Sequence, residues 1–172
     1  AINLLKNFDP KTVDRINENE EKVDHYEDKL GTYLVRLSSA SLTVHDSREV
    51  SMLLHSIGDI ERISDHAVNL LHTAQEIKEK NIEFSAEAAR ELEIMSLAVL
   101  EITQLATDAF CSYDIGLASK VEPLEQVVDA LGEIMKTNHI KRLQENRCTI
   151  ETGFIYADLL TNYERVADHC SN

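Results

Sequence analysis

Apolar residues recur along this chain at intervals of three and four with few interruptions. Over residues 10–38, Val13, Ile16, Val23, Leu30, Leu34 and Leu37 fall on one side of a helix. Asp9 is placed to cap that helix and Pro10 suits its first turn. A mostly polar break over residues 38–46 follows, and Asp46 or Ser47 is the expected next cap. The next helix carries Val50, Leu53, Leu54, Ile57, Ile60, Ala67, Val68, Leu71, Ala74 and Ile77, and fades near Asn81. Ser85 caps another, although Ala88 stands where a capping box would want Glu. Its stripe is Leu92, Met95, Val99, Ile102, Leu105, Ala106 and Ala109, ending near Tyr113. Asp114 opens a further helix to about Asn146, and Pro123 either kinks it or marks its true start. A last helix runs from about Thr149 to the end, and no segment alternates like a strand.

The pattern is duplicated. Phe8-Asp9 matches Tyr113-Asp114, and Glu20-x-x-Val23-Asp24 matches Glu125-x-x-Val128-Asp129. Ile60-Glu61-Arg62-Ile63-Ser64-Asp65-His66 matches Tyr163-Glu164-Arg165-Val166-Ala167-Asp168-His169, and Asn69 matches Asn172. The chain is therefore expected to be all-α, with two tandem three-helix bundles, one over residues 1–81 and one over 82–172. In the first unit the opening helix is truncated, and residues 1–8 are read as its last two turns.

Composition agrees with this reading. Among 172 residues there are five Gly, two Pro and no Trp. The net charge of −14 opposes binding to nucleic acid or to anionic lipid. No apolar run reaches membrane-spanning length, so no direct membrane insertion is expected. The abrupt ends read as a piece excised from a longer protein. Cys111, Cys148 and Cys170 are odd in number and widely spaced, which suits reduced thiols.

The acids are not scattered at random. Each residue of a helix turns by about 100°, so Glu61 and Asp65 lie one turn apart along one flank of the apolar face. Glu164 and Asp168 repeat this. Glu20 falls on the seam of the preceding helix with Asp24 beside it, and Glu125 and Asp129 interleave with Val121, Leu124, Val128 and Leu131. Carboxylates crowded at an apolar margin repel one another and lose hydration. A hard cation such as Mg, Mn, Fe or Zn removes both penalties. The alternative is a solvated rim, with Arg62 and Arg165 as ion-pair partners. His66 and His169 point away from the acids and suit a hydrogen bond to a neighbouring carboxylate, while Asn69 and Asn172 lie on the acidic flank as secondary ligand candidates.

The segments Glu61-Arg62-Ile63-Ser64-Asp65-His66-Ala67 and Glu164-Arg165-Val166-Ala167-Asp168-His169 resemble the E-R-I-G-D-H-A signature of PhoU-like proteins. Ser64 and Ala167 replace the signature glycine. Val121-Glu122-Pro123-Leu124-Glu125 and Thr161-Asn162-Tyr163-Glu164-Arg165-Val166-Ala167-Asp168-His169-Cys170-Ser171-Asn172 are similar to the C-terminal soluble domain of bacterial sodium-dependent phosphate cotransporters. The resemblance implies two metal sites, Glu20, Asp24, Glu61 and Asp65 in the first and Glu125, Asp129, Glu164 and Asp168 in the second. It implies iron clusters there, with zinc or manganese as alternatives. It also implies regulation of sodium-coupled phosphate uptake at the cytoplasmic face. The partner would be a membrane-embedded transporter part on the same polypeptide, and a homo-oligomer is compatible with it.

Two other function classes remain in view. A metal-free helical interaction module would carry the same acids in solvated form. A carboxylate-bridged di-metal enzyme would place Glu-x-x-His pairs inside its bundle, and no histidine here has Glu three residues before it. No nucleophile–base pair and no Gly-rich phosphate loop occurs, so the chain is not read as an enzyme.

Overall fold

The computed structural model describes all 172 residues, and it is helical throughout. A short 3-10 turn at Ile2–Leu5 precedes α1 (Pro10–Ser38), α2 (Val44–Glu79), α3 (Ala86–Ser112), the one-turn α4 (Ile115–Ala118), α5 (Val121–Gln144) and α6 (Ile150–Ser171).

The caps expected at Asp9 and Ser85 are used, and Thr149 caps the last helix, each side chain accepting from backbone N–H groups in the first turn. Neither Asp46 nor Ser47 caps α2. Thr43 does, in a capping box in which Asp46 is the returning acid. The helix opened by Asp114 stops after one turn, and Pro123 lies in the first turn of a new helix beginning at Val121. A proline is harmless there because the first-turn N–H groups have no intrahelical acceptor. Residues 1–8 are not two α-helical turns but the 3-10 turn, held by α2 through Leu4, which is buried with Leu71 and Ala74.

Three helices end without glycine. Asn81, Tyr113 and Asn146 take the left-handed conformation just past α2, α3 and α5. The next residue then donates back to the last turn, Ile82 to Ile77, Asp114 to Ala109 and Arg147 to Arg142. Asn tolerates this conformation, whereas Tyr113 adopts it at a steric cost.

The packing makes the two units unequal. α3, α5 and α6 all pack on one another, while α1 packs chiefly on α2, and α2 joins the units by packing on α6. The main core is centred on Met95, Ile102, Val128, Leu159, Leu160 and Tyr163. By length and composition α3 could cross a membrane, its most apolar window having a mean hydropathy of 1.4, although no uninterrupted apolar run exists. Here its stripe of Leu92, Met95, Val99 and Ile102 is core.

One polar cluster lies within the second unit. Arg142 is buried with Nη2 2.8 Å from Glu91 Oε2. The Tyr156 hydroxyl and the Asn138 amide both donate to Glu91. Burial alone would push the Glu91 carboxyl up, but Arg142, Tyr156 and Asn138 outweigh it and hold the group below its usual range.

Candidate metal centre

The first cluster is built where α1 crosses α2. Glu20 and Asp24 lie one turn apart on α1 and meet Asp65 of α2, with ligand oxygens all within 4.8 Å of one another. Glu61, one turn before Asp65, stands beside this group rather than within it. Its carboxyl is pushed up by burial, then by the charges of Asp65, Asp24 and Glu27. Ion pairing does not relieve the cluster. Arg62 lines a shallow hollow with His55, Asp59 and Asn172.

The second cluster repeats the first on α5 and α6. Glu125, Asp129 and Asp168 converge within 4.8 Å. Glu125 is pushed up by burial and by Asp129 and Asp168. As Glu61 does in the first cluster, Glu164 stands outside the converging three. Glu164 is withdrawn from the group by Lys136, whose ammonium lies 2.9 Å from Oε1 and 3.0 Å from Oε2. That hydrogen bond raises the Lys136 pKa despite partial burial. Glu164 also lies against Gly132, where a Cβ would overlap its carboxylate. Arg165 reaches Asp168 at 3.4 Å, as the sequence allowed.

The donor set fits a hard or borderline cation. Each cluster offers carboxylate oxygens alone from two helices, half-exposed and open to water ligands. The histidines of the motif serve the contact between units. His66 and His169 stack with ring centroids 5.8 Å apart. Nδ1 of His169 lies 3.0 Å from the Asp59 carboxylate, and Nδ1 of His66 lies 2.9 Å from the Asn162 side-chain oxygen. Asn172 donates to Asp59, while Asn69 is exposed. A third acidic group, His45, Asp46 and Glu49, is surface chemistry at the start of α2, with Asp46 already engaged by Thr43.

Glu27, Gly132, Lys136, Asp59 and Asn162 were not singled out by their types. The repeat holds the signal: the offset pairing Glu20 with Glu125 also pairs Glu27 with Gly132 and Gly31 with Lys136. The offset pairing Glu61 with Glu164 pairs Asp59 with Asn162.

The family model for the PhoU domain matches residues 1–74 and 92–172. The chain belongs to that family. A relative described as phosphate-specific transport system accessory protein PhoU homolog 1, from Thermotoga maritima, is 24% identical over the whole of this chain and 74% of its own length. The corresponding homolog from Pseudomonas aeruginosa is 24% identical, with 71% of its length covered. The crystal structure of PhoU from Pseudomonas aeruginosa superimposes with a TM-score of 0.90 over 99% of this chain and 81% of that one, at 23% identity. It establishes the fold of this PhoU domain, including its tandem helical bundles.

Proposed function

We propose that this PhoU-family domain regulates a phosphate transport system and that metal ions at its two carboxylate clusters are part of that regulation. The observation that carries the reading is the matched convergence of Glu20, Asp24 and Asp65 and of Glu125, Asp129 and Asp168. Metal-free, each cluster concentrates like charge at a helix–helix contact, which weakens that contact. A bound cation supplies the missing positive charge and ties the two helices together. Iron is the ion suggested by the family resemblance, with zinc or manganese also suited to oxygen donors. The relatives are described as accessory proteins of phosphate-specific transport, which supports a regulatory rather than a catalytic role. The finer reading joins this domain to a sodium-coupled phosphate transporter in one polypeptide at the cytoplasmic face. The segments around Pro123 and residues 161–172 support it.

Element-specific X-ray fluorescence on protein purified without chelator tests the metal reading. Retained iron, zinc or manganese is expected, together with its loss when Glu20, Asp24, Glu125 and Asp129 are replaced by Ala. Absence of metal in the wild type, with no binding on reconstitution, would overturn it. In cells lacking this gene, phosphate uptake should be misregulated and restored by the wild type but not by that variant. Dependence of the uptake on sodium rather than choline tests the transporter class.

The Glu164–Lys136 pair favours a second reading, a metal-free interaction module whose acids are self-paired or solvated. A thermal midpoint unchanged by chelator or by added metal would support it.

A further inference from the structure

We propose that the two clusters are unequal cation sites, with Lys136 acting as a built-in counter-ion that weakens the second and Glu27 as an extra acid that strengthens the first. The inference rests on the metal reading above and deepens it.

At two pairs of matched positions one unit carries a charged residue where the other carries glycine. In the second unit, Lys136 of α5 holds Glu164 at 2.9 and 3.0 Å, so a positive charge already sits at that carboxylate. The matched residue in the first unit is Gly31, which offers no cation. The position of Glu27 on α1 is held in α5 by Gly132, which offers no acid. The first unit therefore gathers Glu20, Asp24, Glu27, Glu61 and Asp65 without a lysine. The second gathers Glu122, Glu125, Asp129 and Asp168, with Glu164 held by Lys136 and Asp168 reached by Arg165.

The replacement is also steric. Glu164 rests against Gly132, and any Cβ at that position would overlap it. A glutamate at Gly132 would therefore displace Glu164. The missing acid and the added lysine are one coupled arrangement. Glu61 has no such seat and remains beside Asp65, where Glu27 and Asp24 press on it. An incoming cation meets more uncompensated negative charge at the first cluster than at the second, and Coulomb attraction scales with that charge.

Manganese(II) titration of chelator-stripped protein, with free ion followed by its aqueous electron paramagnetic resonance signal, provides the test. The wild type is expected to show two classes of site differing by about tenfold or more in Kd. Replacing Glu20 and Asp24 with Ala should remove the tighter class, and replacing Glu125 and Asp129 the weaker. Lys136→Met should tighten the weaker class towards the other. The reciprocal variant E27A/G31K should weaken the tighter class by about the same factor. Position 31 accepts a side chain, since a Cβ there meets only Ile57 Cδ1 at 3.8 Å and Glu27 Oε1 at 3.9 Å. Circular dichroism and thermal unfolding establish that each variant is folded. Equal classes in the wild type, or unchanged affinities in both variants, would overturn the inference and leave the metal reading standing. No binding to any folded protein would remove the metal reading itself and this inference with it.

Discussion

The two units are built on one pattern, yet matched residues sit in different surroundings. Tyr163 in the second unit is 0% exposed and its counterpart Ile60 in the first is 47% exposed. Met135 and Leu30 stand at 2% and 44%, and Ile155 and Met52 at 3% and 43%. Helical periodicity is the same in both cases. What differs is α3, which closes the second unit against α5 and α6. In the first unit only Ile2–Leu5 takes the corresponding place, and it covers one end. Leu4 there is buried as its counterpart Ala109 is. An apolar stripe states which side of a helix could be buried, and only a partner helix decides whether it is.

The largest effect that would sharpen this contrast is Tyr163→Ala against Ile60→Ala. The first should cost about 3–5 kcal/mol by opening a cavity in a closed core, and the second under about 1 kcal/mol because the side chain is already half in water. Equilibrium urea unfolding measures both, and equal losses would break the comparison. Next is Arg142→Leu, which leaves the partly buried Glu91 carboxylate without its cation at a cost of about 2–3 kcal/mol. The counterparts of Arg142 and Tyr156 are Leu37 and Leu53, so the triple variant E91L/R142L/Y156F, which removes the charges and the buried hydroxyl together, should recover most of the loss.

A smaller pair concerns the clusters in chelator-treated protein at neutral pH. Glu61→Gln should stabilise by removing a repelled charge, whereas Glu164→Gln should destabilise by breaking the Lys136 pair, each by roughly 0.5 kcal/mol. The pH dependence follows from the raised Glu61 and Glu125 values. The native state binds their protons more readily than the unfolded chain does. Their contribution to stability is therefore present at and below the ordinary carboxylate value and is lost as pH rises through the raised ones. Thermal midpoints between pH 4 and 7, with each Glu→Gln variant flattening part of the slope, check the sign. The smallest difference between the units is expected at the caps, where Thr43→Ala and Thr149→Ala should cost about 1 kcal/mol each. The two are expected to match, because cap chemistry at α2 and α6 does not depend on what covers the helices.

Most of the architecture was legible because helices and their starts are local. Asp9, Ser85 and Thr149 act within one turn of themselves. The start of α2 was misplaced by a few residues because Thr43, Asp46 and Ser47 are all competent caps, and only the reciprocal Thr43–Asp46 bonds single one out. The stops near Asn81, Tyr113 and Asn146 were legible from the fading stripes, although none of them carries the Gly that usually signals a helix end. At the clusters, the i, i+4 spacing located the acids that face each other. It could not show that Glu164 would turn to Lys136, because that choice depends on Gly132 opening a seat on another helix. Arg142, Glu91 and Tyr156 meet across three helices and carry no local signature.

The contact between α2 and α6 has the symmetry of a handshake. His66 reaches residue 162 while His169 reaches residue 59, and these are corresponding positions. Each half thus offers the other the same hand, differing only in Asn for Asp. That is the self-complementary interface of a two-fold dimer. The fold has the arrangement of such a dimer with both halves carried on one chain. On one chain the halves need not be identical, and Lys136 in one and Glu27 in the other are differences that a dimer of identical subunits could not carry.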